Sequence, residues 1–180
     1  MITDITIRNF KCWRNEKQIT MRPLTLFFGD AGTGKSTLGH FLTLLKQTVN
    51  TADKSVVLYP GDPDSPLRLG TFSSLVHKHD RIEGIEFSYR FNLPEYLEIV
   101  DTVDRTRDGR PSQYKIAENV AFKCNIGFNS SNHPFVRHFE YQLCDQQTQT
   151  MSIASTHSKM TINTRGSKEK SVTQYAISTT

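Results

Sequence analysis

The feature that most constrains this chain is a glycine-rich segment that directly follows an apolar run. The segment reads GDAGTGKST over residues 29–37, and the apolar residues LTLFF occupy 24–28. It matches the pattern G-x-x-x-x-G-K-[ST] at every fixed position, and that pattern requires a strand before the loop and a helix after it. The sequence therefore predicts a strand over 24–28, buried on both faces, and a helix beginning near Lys35.

A loop of this kind is suited to hold phosphate groups. Residues without a Cβ atom let successive amides turn inward, and the amides at a helix N-terminus add further donors and positive potential. Lys35 is predicted to contact the β- and γ-phosphates, Ser36 to bind Mg²⁺ and Thr37 to donate to the α-phosphate. The predicted site for ATP and Mg²⁺ comprises Gly29, Asp30, Ala31, Gly32, Thr33, Gly34, Lys35, Ser36 and Thr37. The alternative is a glycine-rich turn that only caps a helix.

In the rest of the chain, the spacing of apolar residues changes near residue 80 from a helical period to the alternation that is typical of strands. Apolar residues at helical spacing from Leu38 to Val49 predict one stripe along a helix, formed by Leu38, Phe41, Leu42, Leu45 and Val49. Strands are predicted at the N-terminus, around Ile2–Ile7 and at KQIT, 17–20. Beyond residue 80, alternation predicts strands at 85–91, 96–103, 121–128, 139–143, 151–156, 159–163 and 173–177, with turns at NLPE, RDGRPS, NSSNHP and TRGSKE.

The predicted fold class is α/β, with a strand, P-loop and helix core and an extended antiparallel β portion. The core covers 1–80, and 81–180 forms the β-rich part of the same lobe. With a net charge of +4, the basic excess is too small to indicate nucleic-acid binding by itself. Three widely spaced cysteines and the lack of a signal or membrane segment predict a cytoplasmic protein with reduced thiols and no membrane partner.

Three further groups have both a functional and a structural interpretation. VHKHD, 76–80, could supply a metal pair, but without a third ligand exposed loop histidines are favoured. The arginines of RTRDGR, 105–110, could touch DNA phosphates, but a solvated loop is favoured because aspartates lie among them. Cys12 and Trp13 could form part of an adenine-stacking wall, but packing on the first sheet is favoured.

ITDITIRNFKCW and RPLTLFFGDAGTGKSTLGHFLTLL together resemble the N-terminal lobe of the ABC-type ATPases that include RecF, the SMC heads and the OLD nucleases. The resemblance implies ATP clamped between two heads of a homodimer, and a role in DNA maintenance or anti-phage defence with DNA bound through the full protein. It also implies that Lys11 lies beside the phosphates, the alternative being a solvated turn lysine.

The sequence departs from this family in two ways. Asp30 and Ala31 stand where the family usually has Asn-Gly, and a carboxylate beside phosphates is repulsive unless it points away or meets the metal. The apolar strand ending in Asp-Glu and the LSGG-like signature are also absent. Asp101 is the nearest approach to the former, and Gln113 and Gln142 are candidates only by type for the glutamine that senses the γ-phosphate.

These departures predict one lobe of a two-lobed enzyme that is completed by a missing C-terminal lobe. The apparent strand at the end of the chain, within SVTQYAISTT, favours a truncated polypeptide that binds ATP without hydrolysing it alone. Two alternatives stay open. The chain could be a P-loop kinase of a small molecule or nucleoside, or a non-hydrolysing ATP-dependent interaction module.

Overall fold

The fold is described from a computed structural model, covering residues 1–53, 55–80, 82–105, 109, 111–145, 148–156 and 159–164. Its helical elements are α1 (Lys35–Asn50), α2 (Phe72–Leu75) and a 3₁₀ turn at His77–His79. Its strands are β1 (Ile2–Arg8), β2 (Lys17–Thr20), β3 (Ile85–Arg105), β4 (Pro111–Phe128), β5 (Pro134–Asp145), β6 (Thr148–Thr156) and β7 (Lys159–Thr164). They form one sheet in the order β2-β1-β3-β4-β5-β6-β7.

The observed elements confirm the predicted fold class. Both N-terminal strands, the helix that begins at Lys35, and the turn between β4 and β5 at NSSNHP lie where the sequence patterns put them. β5 pairs with β6 and β6 with β7, both antiparallel, which agrees with the predicted β portion. The predicted strand at 173–177 and the turn at TRGSKE lie outside the described residues. Within the described part of the chain, no helix is long and apolar enough to cross a membrane.

Contacts divide the chain into two compact units that interleave along the sequence. The first, here called the loop unit, comprises residues 5–88 and 124–137. The second, the sheet unit, comprises 1–4, 89–123 and the chain from 138 onward. The predicted domains, with their boundary at residue 80, stay a prediction.

The loop unit is organised around the helix that follows the glycine-rich segment. The ring of Phe41 packs edge-on against Phe10, with centroids 5.4 Å apart, and against Phe87, at 5.1 Å. Ile5 and Ile7 of β1 are buried in the same core. The helix is thereby fixed by its apolar stripe, which holds its N-terminus in place.

The predicted stripe of α1 is wrong at its C-terminal end. Of the predicted stripe, Leu38 and Phe41 are buried, Leu42 and Leu45 are half-buried, and Val49 is 73% exposed. The buried positions further along the helix are Leu44, which the stripe did not include, and the polar Gln47 one turn later. The periodicity alone could not detect this, because a glutamine is normally counted on the polar face. Its amide is accommodated by hydrogen bonds to two main-chain carbonyls of the following loop.

In the sheet unit, aromatic side chains from neighbouring strands lie against one another. The ring centroid of Phe122 is 5.1 Å from that of Tyr89 and 4.7 Å from that of Tyr141. The register of β5 against β6 shifts between Leu143 and Cys144, which marks a bulge. The predicted turn at NLPE is wrong, because β3 continues through these residues as a single strand.

The predicted strand over residues 24–28 is also wrong. The segment forms no strand, and Leu24, Leu26 and Phe28 are 76%, 65% and 86% exposed. A strand requires a ladder of hydrogen bonds to a neighbour, and none of the sheet's described strands is adjacent to this segment. The apolar pattern thus predicts that the segment is buried, but its large side chains are exposed in the part of the chain that the structure describes.

Candidate nucleotide site

The glycine-rich loop adopts backbone conformations that favour glycine. Gly32 and Gly34 have φ of 83° and 95°, and Gly29 has φ of 150°. At Gly34 the requirement is also steric, since an added Cβ would lie 2.4 Å from Nε1 of Trp13 and 2.8 Å from Sγ of Cys12. The local structure therefore explains why the loop carries glycine at these positions.

The helix behind the loop begins with its amides available. Gly34 is the N-cap residue in the left-handed conformation, no side chain caps the helix, and its first turn contains no acidic residue. The Thr37 amide donates to the Gly34 carbonyl at 3.0 Å. Because the first amides of a helix lack their usual partners within it, and this first turn contains no acidic side chain, this end attracts an anion.

The Lys35 ammonium group lies over the loop. Its Nζ donates to the main-chain oxygens of Gly29 and Asp30, each at 2.5 Å. The contact with Asp30 is to its carbonyl, and the side chain of Asp30 is exposed. The positive charge is thus held beside the loop amides, where a polyphosphate would replace the two carbonyls as its acceptor.

A cavity of about 370 Å³ opens beside the loop. Lys35 and Gly34 form part of its lining, and its apolar walls come from Trp13, Phe27, Phe28 and Leu38. The predicted strand over residues 24–28 places Phe27 and Phe28 in a buried sheet, so the sequence pattern does not identify them as wall residues. Their position directly before the loop was the signal that could have identified them.

The two hydroxyl residues of the motif lie in different environments. Ser36 is exposed in the first turn of α1, where its hydroxyl is accessible to a metal ion. Thr37 is 5% exposed, and its Oγ1 lies 3.3 Å from Sγ of Cys12. In the loop itself, Thr33 donates through Oγ1 to the carbonyl of Asp30 at 2.9 Å, which closes the turn.

The structure places Lys11 beside α1, and its predicted contact with the phosphates stays a prediction. Its Nζ lies 3.1 Å from Nδ1 of His40, a residue that the sequence analysis missed. Burial lowers the pKa of Lys11, and burial followed by the nearby Lys11 charge lowers the pKa of His40. A neutral His40 accepts a hydrogen bond from Lys11 in this arrangement.

The turn that carries Lys11 is held by the segment around residue 76. The Lys11 amide donates to the Leu75 carbonyl at 2.7 Å, and Nδ1 of His77 lies 2.7 Å from the Lys11 carbonyl. Asn9 is buried and donates through Nδ2 to the carbonyl of Gly84 at 2.6 Å. Both Asn9 and Lys11 have positive φ, a conformation that such contacts must stabilise.

Two of the remaining candidates have described contacts elsewhere in the structure. His79 contacts the carbonyl of Ser73, and the described residues contain no cluster of three metal-ligating side chains. Gln142 donates to Glu140 within β5. Asp101, Arg105 and Gln113 lie in strands in which the structure does not describe their side chains, and Arg107 and Arg110 lie outside the described residues.

Comparison with known proteins identifies the family. A family model described as the AAA ATPase domain matches residues 1–176, and the chain belongs to this family. The match confirms the predicted resemblance to P-loop ATPases. No match was found among curated proteins.

Among solved structures, the chain is similar to one from work on ATP-driven dimerization and DNA-stimulated activation of SMC ATPases. The two chains are 16% identical with a TM-score of 0.35, and the likeness covers 83% of this chain and 71% of the other.

Proposed function

We propose that residues 29–37 bind ATP, with Lys35 contacting the β- and γ-phosphates. The observation that carries this proposal is the arrangement of Gly34, the open N-terminus of α1 and the Lys35 ammonium along one wall of the cavity. A capping turn would not require a lysine held over the loop. The family match supports ATP as the nucleotide.

Magnesium fits the residues present. Mg²⁺ is usually held by one or two protein oxygens together with phosphate oxygens and water. The exposed hydroxyl of Ser36 would provide one such ligand at the phosphate end of the helix. The metal would neutralise part of the phosphate charge. It would thereby reduce the repulsion between the phosphates and the nearby carboxylate of Asp30.

Substitution of Lys35 tests nucleotide binding. Lys35→Ala should weaken ATP·Mg²⁺ binding by about tenfold to a hundredfold, since charge-assisted hydrogen bonds contribute about 1.5–3 kcal/mol. Binding can be measured by calorimetry and by the emission of Trp13, the single tryptophan of the chain. Lys17→Ala, in β2, is the matched control. Equal ATP affinity in the Lys35→Ala variant and the wild type would refute the assignment.

We further propose that this chain does not hydrolyse ATP alone. Asp30 is the one carboxylate among the residues that line the loop's cavity, and it precedes the lysine within the loop itself. Activation of water and transition-state stabilisation would come from a further lobe and from a second ATPase head. Multiple turnovers of ATP hydrolysis by the isolated 180-residue chain, with no other substrate added, would contradict this proposal.

The exposed apolar segment 24–28 supports a partner next to the loop. Large apolar side chains such as Leu24 and Phe28 are normally covered in a folded protein, and a cluster of them indicates an interaction surface. We assign this surface to the C-terminal lobe. The homodimer, DNA contact and a role in DNA maintenance or defence are further parts of this proposal and rest on the family resemblance. The cytoplasmic location is also proposed, and it rests on the three widely spaced cysteines.

A further inference from the structure

The indole ring of Trp13 forms part of the wall of the cavity beside the glycine-rich loop. Apart from the chain neighbours of Gly34, its Nε1 is the atom that an added Cβ at Gly34 would meet first, ahead of Sγ of Cys12 and the ring carbon Cε2. The ring therefore turns its N–H edge toward Gly34. Because Gly34 is the N-cap residue of α1, this edge lies at the N-terminus of the helix.

The indole N–H of Trp13 is a donor that a ligand can reach. Within the described part of the chain, the hydrogen bonds of Trp13 are those of its main chain with Phe10, and no acceptor pairs with Nε1. Trp13 is half-buried, and the buried side-chain atoms without a partner belong to other residues, Gln47 and Asn125. Nε1 is thus accessible from the cavity. A tryptophan N–H in a partly buried position usually finds an acceptor.

Other donors border the same place. The amides of Gly34 and Lys35 donate to no main-chain carbonyl of the described residues. The Lys35 ammonium lies over the loop, and the first turn of α1 contains no acidic side chain. The indole adds a further donor and no acceptor. A phosphate oxygen is a better acceptor here than a ring nitrogen of the base or a sugar hydroxyl, because its charge strengthens each hydrogen bond and is favoured at a helix N-terminus.

We propose that Trp13 is a phosphate-binding residue of the nucleotide site, and that its Nε1–H donates to an oxygen of the polyphosphate. This role depends on the proposed binding of ATP by residues 29–37. It is a hydrogen bond rather than a stacking contact with the base, because the N–H edge of the ring is directed at the helix terminus. The turn at residues 9–13 would thus provide a donor to the phosphates directly.

Inorganic tripolyphosphate is the probe, because it carries the phosphates without a base or a sugar. Trp13 is the one tryptophan of the 180-residue chain, so the ¹⁵N-labelled protein gives a single indole N–H resonance. Titration with tripolyphosphate and Mg²⁺ should move this proton downfield and saturably, together with the amides of Gly34 and Lys35. Adenosine, which has no phosphate, should leave it in place. The measurement uses the wild-type chain and so does not depend on the folding of a variant.

Trp13→Phe removes the N–H donor and keeps an aromatic ring. It should weaken the binding of ATP·Mg²⁺ and of tripolyphosphate by the same factor, about tenfold, as expected for one lost hydrogen bond to a charged acceptor. Calorimetry measures both affinities. Tyr141→Phe is the matched control, because it also removes one donor from an aromatic residue but lies outside the lining of the cavity, and it should leave both affinities unchanged.

The failure of this role and the failure of ATP binding give different results. An indole resonance that stays in place while tripolyphosphate shifts the amides of Gly34 and Lys35 would overturn the role of Trp13 and leave the nucleotide site standing. An indole shift that adenosine reproduces, or a Trp13→Phe variant that binds tripolyphosphate like the wild type, would do the same. If neither ATP nor tripolyphosphate shifts the loop amides, the nucleotide site itself is refuted, and the role of Trp13 with it.

Discussion

Substitution of Gly34 by alanine should be the most damaging glycine change in the loop. The left-handed conformation costs an L-residue about 1–2 kcal/mol. The new Cβ would also lie 2.4 Å from Nε1 of Trp13, so the indole or the helix terminus must shift. Overpacking of this kind costs about 1–3 kcal/mol. We therefore expect Gly34→Ala to lower the free energy of unfolding by about 2–5 kcal/mol and to reduce ATP binding.

Substitutions of two other glycines separate the conformational cost from the steric cost. Gly32 has φ of 83°, but an added Cβ would meet nothing within 4 Å, so Gly32→Ala should show the conformational cost alone, about 1–2 kcal/mol. Gly39 lies within α1 with open space around it. Gly39→Ala should stabilise the protein by about 0.5–1 kcal/mol, because alanine is the better helix former.

Urea denaturation measures all three variants, and a change in midpoint at constant slope reports stability. The emission of Trp13 gives a second readout, because the indole is the group that Gly34→Ala displaces. The reasoning fails if Gly34→Ala and Gly32→Ala have the same midpoint and Trp13 emission is unchanged. That result would mean that the indole does not pack against the loop.

Three further predictions concern other parts of the structure. Cys12 is exposed, whereas Cys124 and Cys144 are buried, and burial raises the pKa of Cys124 to about 12. A thiol reagent at pH 8 should therefore modify Cys12 in the native protein and spare the other two cysteines, which peptide mass mapping would show. The pKa of His40 is lower in the folded state than in the unfolded chain, so as the pH falls the unfolded chain takes up the proton at a higher pH than the folded protein. The stability of the wild type should therefore fall as the pH drops from 7 to 5. His40→Gln should show a shallower loss in urea titrations at each pH, and an equal slope would contradict the assignment. Phe28→Ser should improve solubility of the isolated chain without changing its midpoint, because Phe28 is 86% exposed, whereas a large destabilisation would show that the ring is buried.

The sequence was sufficient for the parts of the fold that depend on local patterns. The loop motif located the start of α1 at Lys35, and alternation located β1 and most of the antiparallel strands. Each of these signals lies within a short window of sequence. The turn predicted at NLPE is wrong because proline is typical of turns and interrupts most strands. Here β3 continues through Pro94 as a single strand.

The site was less predictable because it combines segments far apart in the sequence. The motif identified Lys35, but nothing local to it indicates that Trp13 packs against Gly34 or that Lys11 approaches His40. Those contacts depend on the turn at residues 9–13, which is held by main-chain bonds to the segment around Val76. Periodicity and motif spacing do not report such long-range contacts.

This dependence gives the turn at residues 9–13 a structural role at the nucleotide site. Its positive-φ residues, Asn9 and Lys11, are stabilised by contacts with the chain near residues 75–84. In return, the turn places Cys12 and Trp13 against the first turn of α1, where only a glycine leaves room for them. The glycine at position 34 therefore serves two requirements, the conformation of the loop and the close approach of this wall. For this reason a substitution in the turn should alter nucleotide binding even though the glycine-rich loop itself is unchanged.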